Sequence, residues 1–356
     1  MLYLYLIGRN TLHLVMKKII FIIGGLSALF FASCKKELSD NFATYSGHPL
    51  NDTVWVRNVS GTASVHELIE LLAPEVIVDS FEVTRDTTLR YGDSLNISFT
   101  AGSCIGTGIG GGPSGTLSPG KVKLEILRLK KKGDYIKTFR PTTANNYLLE
   151  AGGAFFIRVS RDGKELALAP GASVKIRFSD IEDPKTNMQV FYGKESNPVP
   201  ASGIDTSFTW IRDVDTTWLK TFQKSSSGTG PGITGYELIT KNLRWVAVEH
   251  YIDSTRPKAK ITAILPLNYT NKNTAVFAVF ANQKTIVNLR GDYPSRSFAA
   301  ANIPVGTKMK LISISKIGDD LYVGIKDVSD VGSVIAYQVT PEKKSLKDIL
   351  ILLNAL

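Results

Sequence analysis

TTANNYLLEAGGAFFIRVSRDGKELALAPGASVKIRF, residues 142–178, decides the fold. FFIRVS and SVKIRF are short runs rich in β-branched and aromatic residues, the side chains that fit a pleated, half-buried surface. Between FFIRVS and KELAL stand Asp162 and Gly163, which read as the tip of a hairpin. Working upstream, VIVDSFEVT, TTLRY, SLNISFTA and KVKLEILRL repeat the pattern, and the Gly92–Asp93 step in TTLRYGDSLNISF supplies a second hairpin turn. MQVFYG continues it downstream. After Gly235 a second series begins with YELIT, RWVAVEHYI and KAKITAILP, and it runs on through TAVFAVFANQKTIVNL, KMKLISISKI, LYVGIKDV and VIAYQVT. Strands of this length and spacing predict an all-β chain with two β-sandwich domains in tandem, 75–195 and 236–340. NPVPASG and KSSSGTGPGITG, rich in Pro, Gly and Ser, mark 196–235 as a linker region.

Two helices break the strand pattern. SVHELIELLAP places Val65, Leu68, Ile69 and Leu72 on one face and must stop at Pro74. In the tail, residues 341–356, SLKDILILLNAL spaces Leu346, Ile349, Leu350 and Leu353 for one apolar stripe, so a closing helix docked on the second sandwich is expected.

The N-terminus carries an address. From Met16 the chain reads MKKIIFIIGGLSALFFASCKKE, with a basic head, an apolar run from Ile19 to Phe31 and small residues before a thiol. That order is a secretory signal over residues 1–33, with 1–15 reading as an overcalled start. The run is shorter than the roughly 20 apolar residues of a membrane-spanning helix. FASC resembles the bacterial lipobox, which implies Cys34 as the site of lipid attachment and the first residue of the mature protein. A flexible spacer and the short helix follow in 34–74.

Composition narrows the chemistry. The 356 residues are 43% hydrophobic and 21% charged, so the chain can bury a large core. Two cysteines exclude a disulfide scaffold, and once Cys34 is acylated only Cys104 keeps a thiol. The formal charge of +10 includes Arg9, Lys17 and Lys18 of the leader, and the mature remainder is spread thin. Its one dense run, Lys130 to Lys132, reads as a solvated hairpin end with no interleaved aromatic platform, so nucleic acid is not expected as a partner.

KVKLEILRLKKKGDYIKTFRPTTANNYLLEAGGAFFIRVSRDGKELALAPGASVKIRF, residues 121–178, resembles the first domain of cell-surface and outer-membrane lipoproteins of the Bacteroidetes. That domain is similar in layout to the ZU-type β-sandwich of ankyrins and netrin receptors. IPVGTKMKLISISKIGDDLYV, residues 303–323, looks like transthyretin-type and related immunoglobulin-like sandwiches. The resemblance implies an envelope lipoprotein and assigns no activity.

Candidate sites are few. Gly106, Gly108 and Gly111 form a G-x-G-x-x-G after a strand, but Pro113, Gly115 and Pro119 follow where a dinucleotide site needs a helix to open, so a loop is expected. His66 and Glu67 open HELIE, which lacks the second His of a zinc motif. Asp213 with Asp215, and Asp319 with Asp320, are too few oxygens for calcium and read as turn residues. Cys104 reads as a small core residue and Trp245 as a core aromatic. Trp210 and Trp218 lie near the linker stretches and are the candidates for ligand binding, with sealing of an interdomain contact as the alternative. No catalytic constellation, cofactor or metal is expected. The sequence therefore predicts a noncatalytic cell-envelope lipoprotein with a structural, adhesive or ligand-binding role at the outer membrane. Its partners are the membrane through the lipid and a protein or glycan ligand. The alternative is a carbohydrate-binding accessory subunit or an envelope enzyme of a polysaccharide-uptake system.

Overall fold

The computed structural model describes residues 52–107, 113–117, 119–179, 181, 184–195, 208–214, 218–224, 233–252, 255–332 and 335–356. The leader, Cys34 and the spacer lie outside them. Among the described residues, three helices, α1 (Ser64–Leu72), α2 (Lys132–Lys137) and α3 (Leu346–Asn354), punctuate an otherwise β structure. The hairpin turns form where the sequence placed them. Asp162 and Gly163 take φ of 51° and 76°, the two left-handed positions of a primed turn, so that Ser160 pairs with Glu165 and Arg161 with Lys164. Gly92, at φ 59°, turns strand Thr87–Tyr91 back onto Leu95–Phe99.

The described strands join into three sheets. A ten-stranded sheet is organised around the long strand Tyr147–Arg161, which pairs with Lys121–Leu129 and with Arg244–Tyr251. A five-stranded sheet runs in the order Trp218–Lys224, Ile233–Thr240, Val174–Ser179, Leu95–Phe99, Thr87–Tyr91. These two pack face to face. Phe155, Ile157, Val159, Val246 and Val248 from the first meet Ile97, Ile176, Phe178, Tyr236 and Leu238 from the second.

The third sheet has eight strands drawn from residues 258–344 and is antiparallel throughout, save that Ala336–Gln338 runs parallel to Lys258–Ile264. It is one sheet curled round its own core. Ile261 and Ala263 near one edge share a cluster with Leu311 and Val328 near the other. Gly324 allows the close approach, since a Cβ there would fall 2.7 Å from both Ser313 Oγ and Val339 Cγ1.

Both main sheets are also buried on their second faces. In TAVFAVF, residues 274–280, Val276, Ala278 and Phe280 enter the curled sheet's core. Ala275, Phe277 and Val279 enter another core, shared with Phe156, Trp245 and Ala247 of the ten-stranded sheet. Burial on two sides explains why these strands read as unbroken apolar runs. The three helices fill the same space. Leu68, Ile69 and Leu72 of α1, Tyr135 and Ile136 of α2, and Ile349 and Leu353 of α3 are all buried there. The hydroxyl of Ser345 caps α3 by accepting from the amide of Asp348 at 3.1 Å.

Three sequence expectations need correcting. Strands Ile233–Thr240 and Arg244–Tyr251, expected to open the second sandwich, belong to the sheets of the first, and the sheet changes only at Lys258. Their apolar faces match Phe178 and Phe156, far back in the chain, and periodicity cannot reveal such a partner. Second, α3 docks in the core shared by the sheets rather than on one of them, and residues 49–356 form one compact unit. Third, the Lys130–Lys132 run enters α2 and is not a free hairpin end. Asp134 accepts from the amides of Lys130 and Lys131 at 3.0 and 2.8 Å, and Lys132 is partly buried with its amine on the carbonyls of Phe280 and Ala281.

Candidate functional site

Trp210 sits on the edge strand Thr209–Arg212 and is fully buried. Its indole Nε1 donates to the carbonyl of Pro141 at 3.0 Å, and its ring meets Phe208 and Trp245 edge-on at centroid separations of 4.9 and 6.4 Å. The neighbouring Arg140 guanidinium stacks over Phe208 and Trp245 at 4.5 and 4.8 Å and faces Glu195 at 3.6 Å. Glu195 in turn accepts from Arg244 Nε at 2.5 Å, and Arg244 also reaches Glu165 at 2.8 Å. This charged and aromatic box seals the core between the sheets. With its ring faces occupied and its N–H used, Trp210 has nothing to offer a ligand. The ligand-binding expectation for it is therefore corrected in favour of the sealing one.

Trp218 is placed differently. It is partly exposed on the edge strand Trp218–Lys224, on the face of the five-stranded sheet turned away from the core. The period of two along each strand builds that face. Leu219, Leu238 and Ile176 point inward, so Trp218, Lys220 and Phe222 on one strand, Glu237 on the next and Lys175 and Arg177 on the third point outward. Glu237 is buried beneath three cations. Lys175 Nζ lies 3.2 Å, Lys220 Nζ 3.5 Å and Arg177 Nε 3.7 Å from its carboxylate, while each of the three side chains stays about half exposed. Lys220 and Arg177 also lie over the rings of Trp218 and Phe222, at 4.5 and 4.0 Å. One carboxylate cannot balance three cations, so the cluster carries excess positive charge in a fixed array.

A crevice of about 560 Å³ opens where α2 meets the sheets and is lined by Lys131, Lys132, Lys185, Lys284 and Glu150. Its lysines are largely committed to the fold. Lys131 caps α3 by donating to the carbonyl of Asn354 at 2.8 Å, and Lys185 donates to Glu150 at 2.6 Å. Burial, helped by the nearby positive charge of Arg128, pushes the Lys284 amine down to about 8.

Deeper in, Glu249 has no exposed surface, and neither of its carboxyl oxygens has a hydrogen-bond partner among the described residues. Burial holds the carboxyl well above the usual carboxylate range. The Tyr135 hydroxyl is likewise buried without a partner, and burial chiefly, then the Glu249 charge, raises it well above a free phenol.

The remaining candidates fall into structural places. Cys104 is buried, and burial pushes its thiol up to about 11, leaving it unreactive. Around the Gly-rich stretch Cys104–Thr107 pairs antiparallel with Pro113–Thr116, and among the described residues no helix opens directly after Thr116; Gly108 and Gly111 lie outside the described residues. On α1, Glu67 pairs with Lys316 at 2.7 Å, and burial lowers the His66 imidazole. Asp213 accepts from Asn242 at 2.9 Å, Asp320 pairs with Lys343 at 2.7 Å, and Asp215 lies outside the described residues. Among the described residues, no group of three or more His, Cys, Asp and Glu is placed to hold a metal, and no helix is long and apolar enough to cross a membrane. No family model, curated protein or solved structure matches the chain.

Of the two tryptophans singled out in the sequence, one is core and one stands in an accessible cluster. The other members of that cluster, Lys175, Arg177, Lys220, Phe222 and Glu237, escaped sequence reasoning. Period-two alternation in KIR and LKT shows which residues share a face of each strand. It does not show that the two strands lie on either side of Ile233–Thr240.

Proposed function

We propose that the chain is a noncatalytic cell-envelope lipoprotein, fastened to the outer membrane through an acylated Cys34, whose β unit serves as a binding module. The single observation that carries the reading is the order of residues 16–34, MKKIIFIIGGLSALFFASC, in which a basic head and an apolar run end on small residues and a thiol. Each acyl methylene that enters the bilayer contributes about 0.8 kcal/mol, so two or more chains hold such a protein without a spanning helix. Compactness suits the role. A core shared by both main sheets and the three helices of the described residues joins them in one unit. Radiolabelled palmitate enters the expressed full chain and is absent from a Cys34→Ala variant; equal labelling of the two defeats the reading.

A carbohydrate-binding accessory role is the second reading. The observation that favours it is the pair of partly exposed rings, Trp218 and Phe222, on the outer face of the five-stranded sheet.

A further inference from the structure

We infer that the outer face of the five-stranded sheet binds an acidic polysaccharide, a chain bearing carboxylate or sulfate groups, laid across the strands with Trp218 at one edge. One row of the sheet carries the argument. Lys220, Glu237, Arg177, Asn96 and Arg90 are cross-strand neighbours, one from each strand in turn. Cations thus stand on the first, third and fifth strands, at intervals of roughly 9.5 Å given the spacing of hydrogen-bonded strands. Lys175 adds a fourth in the adjoining row, opposite Ser98. The single acid among them, Glu237, is buried and already shared by three of the four cations.

Three features fit this face to an acidic glycan. Its charge is complementary to a polyanion, and three of the four cations are held by Glu237 and the two rings, so less side-chain freedom remains to be lost on binding. A twisted sheet face is broad and shallow, suited to an extended polymer more than to an enclosed small molecule. A nucleic-acid strand carries a charge for roughly every 3.4 Å of helix axis, a denser array than cations spaced roughly 9.5 Å apart would match. Trp218 and Phe222 stay partly exposed although Lys220 and Arg177 lie over their rings, and the uncovered part adds apolar surface for a sugar ring.

The inference deepens the binding-module reading and rests on it for the place where polysaccharide is met. Its test does not involve the lipid, so palmitate labelling stands or falls separately. The full chain, purified in detergent, is run in native affinity gels cast with polygalacturonate, chondroitin sulfate or a neutral β-glucan. Both acidic polymers, or one of them, retard the protein, added salt weakens the effect, and the neutral polymer leaves mobility unchanged. An Arg177→Glu/Lys220→Glu double variant loses roughly tenfold in affinity, from two attractions removed and two repulsions gained at the size of exposed charge pairs. Arg90→Glu, at an exposed position away from Glu237, weakens binding in the same direction and serves if the double variant fails to fold. Trp218→Ala separates recognition from ion exchange, since it weakens binding without changing charge. No retardation by either acidic polymer overturns the inference, as do reversal variants that bind like the original chain. Equal or tighter binding of single-stranded DNA overturns the assignment of the ligand as a glycan.

Discussion

Glu249 should make the protein less stable as pH rises, and replacing it should remove that dependence. The side chain lies in strand Arg244–Tyr251, beside a register shift between Val248 and Glu249, and points into the core shared by the sheets. With its carboxyl held above the ordinary range, the folded chain keeps a proton that the unfolded chain gives up. Below about pH 4.3, where a free Glu is protonated, both states carry the proton and the group contributes no pH dependence. Above it the unfolded state binds fewer protons, and stability falls by up to about 1.4 kcal/mol per pH unit until the folded carboxyl itself ionises. Glu249→Gln removes the titration. Its advantage over the original chain therefore grows from pH 5 to pH 7. Glu249→Leu also removes a buried polar group that lacks a partner, a cost of about 1–3 kcal/mol, so it is the more stable variant at every pH. Urea unfolding followed by tryptophan fluorescence at pH 5, 6 and 7 measures both effects. Stability curves for the original chain and the Gln variant that run parallel with pH would refute the reasoning. So would a Leu variant less stable than the original, because it would mean the carboxyl has a strong partner.

Two further outcomes follow from the same packing. Trp210→Ala opens a cavity in the aromatic box and strips the Pro141 carbonyl of its donor, so the unfolding free energy drops by about 3–5 kcal/mol. Denaturant titration checks it, and a loss under about 1 kcal/mol would show that the box is not closed around the indole. Gly133→Ala places a Cβ 1.8 Å from the backbone oxygen of Leu353, so α2 and α3 cannot stay in contact as they are. Amide exchange in 346–354 should accelerate while that of Tyr147–Arg161 stays slow, and unchanged exchange in the helix would contradict the contact.

Local chemistry was legible in the sequence. Alternation marks the strands, Asp162–Gly163 and Gly92 mark turns that need a left-handed backbone, and Pro74 ends α1, because each depends on residues a few positions apart. The all-β class with a helix at either end follows from those signals. Lys130–Lys132 misled for the opposite reason. A charge run reads as solvated, yet Lys132 is partly buried because the backbone carbonyls of Phe280 and Ala281, distant in sequence, receive its amine.

What the tertiary structure alone decided is which face meets which. Trp210 and Trp218 are alike in sequence, eight positions apart and beside the same Gly- and Ser-rich stretches. One became core and the other surface because Thr209–Arg212 was added to the edge of a sheet buried on both faces, and Trp218–Lys224 to the edge of a sheet whose outer side carries the exposed cations. Strand pairing over long separations chose those sheets. It is set by how whole apolar faces fit together, a property no single segment holds.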